Sequence, residues 1–321
     1  MTTGNEQSAT ANVPLQPLTA GTPGTAIPAG IPQTQSQAGS GVPVARARRV
    51  LSLSAGGMPG MDTLCGALLG LADFGITEFD LICGASAGSM VGGLLATGRP
   101  IHTLEAVLRG LTDSNVRSER FAWQARLFWI RYFMANDRIK RLLNDLLPAS
   151  FSALKIPLEV NVTLDQTGLG ITLNDDSAPL PLAVMASAAI AGVFPPVSLP
   201  GRSGQYSDGG TTNYCARPLL PLGPTDELWM LIATPPYAYT PTNESVLSRL
   251  MMNVHLLIED QITDTIEAMR ALYGNRVHVI RPTCGASAGT LHFDHTLIDQ
   301  ARKETGQILR AAPAQPSTGA V

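Results

Sequence analysis

Apolar positions along this chain switch between runs and helical spacing. Residues 50–54 form a short β-type run that ends in Ala55-Gly56-Gly57-Met58-Pro59-Gly60. Leu64, Leu68 and Leu71 follow at a helical period, which predicts a helix over about 61–74 with Gly75 as its stop. Residues 79–83 predict a second strand. Gly84-Ala85-Ser86-Ala87-Gly88 comes next, then a small-residue helix to about 97. Further helices are expected at 102–112, 119–146, 180–190, 244–273 and 295–311, and strands near 157–164, 169–173, 227–233 and 277–280. Strand, glycine turn, helix, repeated, is the order of a parallel sheet with crossover helices, so the fold class is α/β. No domain-sized repeat or internal linker interrupts residues 46–312, which read as one domain.

The first 45 residues break the pattern. Residues 1–44 hold one charged residue, Glu6, six prolines and no aromatic side chain. Such a segment cannot bury enough apolar surface to offset its ordering entropy, so 1–45 is expected to be a disordered low-complexity tail. It lacks the basic start and apolar core of a cleavable signal peptide. It reads as a linker or as an uncleaved export address, which leaves a cytoplasmic, peripheral-membrane or secreted-effector location open. Arg46, Arg48 and Arg49 mark the boundary as a basic patch, and 313–321 is expected to fray.

Charge and cysteine content narrow the class. The 22 Lys and Arg against 25 Asp and Glu leave −3, with 15% of residues charged, so no nucleic-acid partner is expected. No apolar run approaches the ~20 residues of a membrane-spanning helix. Cys65, Cys83, Cys215 and Cys284 show neither CxxC pairing nor metal-ligand spacing, and read as reduced thiols with no metal.

Three motifs carry candidate chemistry. Gly84-Ala85-Ser86-Ala87-Gly88 fits G-x-S-x-G, in which a serine on a sharp strand-to-helix turn projects from the sheet edge. The glycines let strand and helix backbones approach, and the helix directs its positive end at Ser86. Gly285-Ala286-Ser287-Ala288-Gly289 repeats the five letters, but Pro282 detaches it from a strand and no helix start follows, which favours Ser86 over Ser287. The loop Gly56-Gly57-Met58-Pro59-Gly60 converges backbone N–H groups on an anion, as a phosphate cradle, an oxyanion hole or only a packing turn. It lacks the Gly-Lys-Ser/Thr of a P-loop. Tyr206-Ser207-Asp208-Gly209-Gly210 is a tight turn that exposes a carboxylate able to accept a serine proton. A Ser-His-Asp triad would require His292 or His295, neither of which stands in a distinctive motif.

In this order the motifs resemble the patatin-like phospholipase family over about residues 50–312. Ser187-Ala188-Ala189 with Phe194-Pro195-Pro196, shortly before Asp208, is also similar to the family. The resemblance implies a three-layer α/β/α fold with a nucleophile elbow and a Ser–Asp dyad. Ser86 would be the nucleophile and Asp208 the proton acceptor. Main-chain N–H groups of Gly56, Gly57 and Met58 would form the oxyanion hole, with Gly60, Gly84, Gly88, Gly209 and Gly210 as motif glycines. It implies fatty acyl ester cleavage in phospholipid or neutral lipid through an acyl-enzyme, without cofactor or metal. Acyl transfer on the same dyad and a silent lipid-binding scaffold are the alternatives. Two positions depart from the family's pattern: Ala55 replaces a glycine, and Pro59 replaces a basic residue with one that has neither charge nor N–H.

Phe121, Trp123, Phe128, Trp129, Tyr132 and Phe133 crowd one predicted helix, with Arg120, Gln124 and Arg131 as a polar stripe. They read as a buried helix or as a lid at a lipid surface. Peripheral membrane contact is therefore expected, through apolar side chains and local arginines. The need for a protein activator stays open.

Overall fold

The computed structural model describes residues 47–116, 134–236, 246–285 and 292–312, with the backbone alone for 246–251. In chain order the elements are β1 (Arg49–Leu53), α1 (Gly57–Ala72), β2 (Leu81–Ala85), α2 (Ala87–Ala96), α3 (Ile101–Gly110), α4 (Asp113–Val116), α5 (Asp137–Leu146), β3 (Leu158–Leu164) and β4 (Leu169–Leu173). There follow α6 (Leu180–Ser187), β5 (Tyr206–Asp208), β6 (Glu227–Leu231), α7 (Val246–Tyr273), β7 (Val277–Ile280) and α8 (Thr296–Ala311).

Seven strands form one sheet in the order β4-β3-β2-β1-β6-β7, with β5 also paired to β3. The β1–β2, β1–β6, β2–β3 and β6–β7 pairs are parallel, whereas β4 and β5 run antiparallel to β3. Successive strand residues point to opposite faces, and the core divides accordingly. Leu51, Leu53, Ile82, Trp229 and Leu231 pack with Leu64 and Leu68 of α1, Val91 of α2 and Val184 of α6. Val50, Leu81, Cys83, Leu228 and Met230 pack on the other face with Ile262 and Met269 of α7. Coverage on both faces accounts for the near-continuous apolar runs of β2 and β6, whereas β3 alternates, with Glu159, Asn161 and Thr163 between Leu158, Val160, Val162 and Leu164.

The expected α/β class with a mostly parallel, helix-flanked sheet is what the chain adopts, and several boundaries differ. The first helix begins at Gly57, four residues early, because Pro59 falls in the first turn, where a missing N–H breaks no intrahelical bond. The second strand is Leu81–Ala85, since Ala85 still pairs with Asn161 across the parallel ladder. The helix expected over 119–146 is helical, among the described residues, only in α5. Residues 134–136 are not helical, and the Met134 amide donates to the Val193 carbonyl at 2.8 Å. The aromatic stretch at 121–133, residues 286–289 of the second G-x-S-x-G and the tails lie outside the described residues. Arg48 and Arg49 face Asp226 and Glu227 across 3.9 and 3.4 Å, so these two arginines are partnered rather than a basic patch.

Candidate active site

The strand β3 brings the two candidate side chains together. Its first half pairs with β2 as far as Ala85 opposite Asn161, and its second half pairs with β5 from Asp208 opposite Val162. Since β4 occupies the other edge of β3, β2 and β5 share one edge and meet end to end. The chain leaves β2 at Ser86 and leaves β5 at Asp208 at the same point along the β3 edge.

Ser86 sits between β2 and α2 with φ 52° and ψ −118°, the one non-glycine residue with positive φ among those described. Such a conformation costs about 1–3 kcal/mol and persists where its surroundings enforce it. Here the enforcement is close packing. A Cβ on Gly84 would lie 2.6 Å from the Gly88 carbonyl oxygen, and one on Gly88 would lie 2.3 Å from that of Leu53. The Ser86 carbonyl accepts from the amides of Ser89 and Met90 at 2.9 and 3.2 Å and from the Ser89 hydroxyl at 2.7 Å. The Ser86 amide donates to Ser187 Oγ at 3.0 Å, and Ser187 Oγ in turn donates to the Asn161 carbonyl at 2.6 Å.

The Ser86 hydroxyl donates to Asp208 Oδ2 at 2.6 Å, and the Gly210 amide donates to Oδ1 at 2.7 Å. The Asp208 backbone is held on both sides: its amide donates to the Ala189 carbonyl, and its carbonyl accepts from Thr163 Oγ1 at 2.8 Å. Both side chains are nearly sealed, Ser86 at 4% and Asp208 at 5% exposure. Burial pushes the Asp208 carboxyl up from its ordinary 3.8 to about 6, against the lowering effect of the Ser86 and Gly210 hydrogen bonds.

The glycine loop opens α1 beside the serine. Gly56 precedes the helix, with a Cβ position only 2.7 Å from Ala233 Cβ, and Gly57 has φ 64°. The Gly60 amide donates to the Gly56 carbonyl, whereas the amides of Gly56, Gly57 and Met58 have no acceptor among the described residues. These are the unpaired donors that a helix N-terminus offers. Gly57 and Met58 line a cavity with Ser86, Met61, Met90, Ile139, Ile190 and Phe194, so its walls are apolar apart from the serine and the free amides.

The histidines considered for a triad are engaged elsewhere. His295 Nδ1 lies 2.9 Å from Asp62 Oδ1 and its Nε2 2.9 Å from the Leu111 carbonyl; His292 Nδ1 lies 2.5 Å from Asp113 Oδ2. Among the described residues, no group of three or more His, Cys, Asp or Glu could hold a metal ion. All four cysteines are free. Sequence reading missed the working role of Ser187, Asn161 and Thr163. Ser187 alone carried a signal, as part of a family-like segment.

Carboxyl ends of parallel strands are where open α/β sheets carry their sites, and Ser86 and the glycine loop both follow such ends. A family model described as Patatin-like phospholipase matches residues 51–220, more than half of the chain, and the chain belongs to this family. Membership supports a lipid-hydrolysing function. Among solved structures, VipD from Legionella pneumophila is similar with a TM-score of 0.50 and 14% identity, covering 82% of this chain and 66% of that one. Full-length ExoU in complex with SpcU, from the type III secretion system of Pseudomonas aeruginosa, matches with a TM-score of 0.44 and 13% identity, covering 82% of this chain and 52% of that one. The chain thus spans between about half and two thirds of the length of these chains.

Proposed function

We propose that this chain is a serine lipid acyl hydrolase acting through a Ser86–Asp208 dyad, on fatty acyl esters of phospholipid or neutral lipid. The observation that carries the reading is the 2.6 Å hydrogen bond from the Ser86 hydroxyl to an otherwise sealed carboxylate. Ionised Asp208 takes the hydroxyl proton as Ser86 Oγ attacks the ester carbonyl. The negative charge that develops on the carbonyl oxygen meets the free amides of Gly56, Gly57 and Met58. When the tetrahedral intermediate collapses, the C–O bond to the alcohol breaks and Asp208 returns the proton to it. Asp208 then takes a proton from water as that water attacks the acyl-Ser86 ester. As the second tetrahedral intermediate collapses, Asp208 hands that proton to Ser86 Oγ, which frees the fatty acid and restores the hydroxyl and the carboxylate. The apolar cavity walls suit an acyl chain.

Hydrolysis of a short-chain nitrophenyl ester and of phospholipid vesicles tests the reading. Ser86→Ala and Asp208→Asn should each lower kcat/KM by at least about 100-fold, the scale seen when one member of such a unit is removed. Undiminished turnover in both variants would sink the proposal.

A further inference from the structure

A buried carboxylate lies one helical turn past the glycine loop. Asp62 follows Met58 on α1 and is sealed from solvent. Its Oδ2 accepts from the Asp294 amide at 3.0 Å, and its Oδ1 lies 2.9 Å from Nδ1 of His295. The other ring nitrogen of His295, Nε2, lies 2.9 Å from the carbonyl oxygen of Leu111, the residue that caps the end of α3. An ionised carboxylate and a carbonyl only accept, so both ring nitrogens carry a proton and the ring is an imidazolium. Without it Asp62 would be a buried charge with no counter-ion, which is costly.

The same short segment reaches the wall of the cavity. Leu111 leads into α4, whose last residue, Val116, lines the cavity together with Ser86. Asp113, in the first turn of α4, accepts from the Phe293 amide at 3.0 Å. Residues 293–295 thus hold α1 on one side and the α3–α4 turn on the other. Asp62 faces the ring from α1 and Arg109 faces it from α3. Arg109 is itself bound by Glu105 and Asp299, at 3.0 and 2.7 Å. Asp294 precedes the ring in the chain, and His292 is paired with Asp113. Cys65, the titratable neighbour of Asp62 on α1, is pushed up to about 12 by burial and adds no charge. Burial weakens the hold of His295 on its proton, but the hydrogen bonds to Asp62 and Leu111 outweigh it, so the ring titrates above its ordinary 6.5.

We propose that protonated His295 is a positioning residue that seats the Val116 wall of the cavity and makes the binding of longer acyl chains sensitive to pH, resting on the lipid-hydrolase reading of the site. When the ring gives up a proton to solvent, one N–H remains, and the charged carboxylate holds it more strongly than a carbonyl does. Nε2 then turns a lone pair towards the Leu111 oxygen. Two acceptors at that distance repel, so the α3–α4 turn loses this tie while α1 keeps its own. The amides of the glycine loop stay in place, and the loss falls on the cavity wall rather than on the reacting atoms. An acetyl group needs only the space at Ser86, whereas a hexanoyl chain lies along the apolar walls. His295 also stabilises the fold below pH 6.5, and that contribution is lost as pH rises through its raised value.

Two measurements on the full chain between pH 6.5 and 9 test this: nitrogen NMR of isotope-labelled histidines, and KM for nitrophenyl hexanoate beside nitrophenyl acetate. The His295 signals should show both ring nitrogens protonated at pH 6.5 and a titration above it. Across that titration the wild-type KM for the hexanoate should rise about fivefold, the scale of one hydrogen bond, while KM for the acetate stays level. His295→Gln has no proton to lose and cannot place its one amide nitrogen at both acceptors. Its hexanoate KM should therefore stay at the high-pH value of wild type throughout. A level hexanoate KM in wild type, a step that persists in His295→Gln, or a ring that is neutral at pH 6.5 overturns the proposal. So does a step of equal size for the acetate, which would show general loosening rather than movement of one wall. The ring titration and the wild-type comparison of the two esters decide the matter even where the variant does not fold. A chain that cleaves neither ester while the ring titrates above 6.5 supports the His295 clamp and overturns the hydrolase reading instead.

Discussion

As the proposed base, Asp208 must be ionised, and burial works against that form. Its carboxyl, at about 6, should appear as the acidic limb of the pH profile: kcat/KM falls about tenfold per pH unit below 6 and levels above it. Steady-state rates on a soluble ester from pH 4.5 to 8 check this, and a midpoint near 4 would show that burial does not act as described. The same shift bears on stability. The folded chain holds the Asp208 proton more tightly than the unfolded chain, so folding is favoured by this group at low pH, and that advantage is lost as pH rises from 3.8 through 6. The interval amounts to about 3 kcal/mol. Asp208→Asn removes the charge and mimics the protonated carboxyl, its Oδ1 accepting from the Gly210 amide and its Nδ2 donating to Ser86 Oγ, so it should melt higher than wild type at pH 8 and equally below pH 4. Thermal unfolding of both proteins at the two pH values decides it.

Ser86 and Asp208 were legible because each stands in a short motif whose glycines have a steric purpose, as Gly84 and Gly88 show against the Leu53 and Gly88 carbonyls. Ser187 was not legible as a contact. Its hydroxyl matters through the Ser86 amide and the Asn161 carbonyl, both far away in sequence. Ser187→Ala leaves the Ser86 amide without its acceptor in a buried turn, and should lower kcat on a soluble ester by about tenfold with little change in KM. A parallel rise in KM would show that Ser187 shapes the cavity instead.

Among the elements, helices and long strands followed from periodicity, and their ends did not. The early start of α1 matters because it turns the glycine loop from a connector into a helix N-terminus with three free amides. Gly57→Pro would delete one of those donors and conflict with φ 64°, whereas Met58→Leu keeps the backbone and should leave turnover within about threefold. Rates of the two variants on one soluble ester separate a main-chain role from a side-chain role. The three-residue β5 escaped the sequence altogether. It is too short for a periodic signal, and it exists because β2 ends at Ala85 and leaves the rest of that β3 edge unpaired. That vacancy is what places Asp208 beside Ser86, so the least legible element positions the site.

For the whole molecule, the family match at residues 51–220 stops before β6, although β6 pairs with β1 in the middle of the sheet. A chain cut after residue 220 would expose the β1 edge and strip Leu228, Met230 and Ile262 from one core face. It should be insoluble or lack a cooperative melt, as circular dichroism would show. The α/β class and the crossover order were readable from the alternation of runs and glycine turns. The two-sided core was not, because apolar strands buried on both faces carry no alternation to mark which residue points where.

The central claim is that Ser86, activated by Asp208, is the acylated nucleophile. Peptide mass mapping of the full chain after a fluorophosphonate, with phospholipid vesicles present, tests it most directly. The account predicts one adduct, on Ser86, lost in Ser86→Ala and slowed by at least about 100-fold in Asp208→Asn. An adduct on another residue, or none with vesicles present, would contradict it.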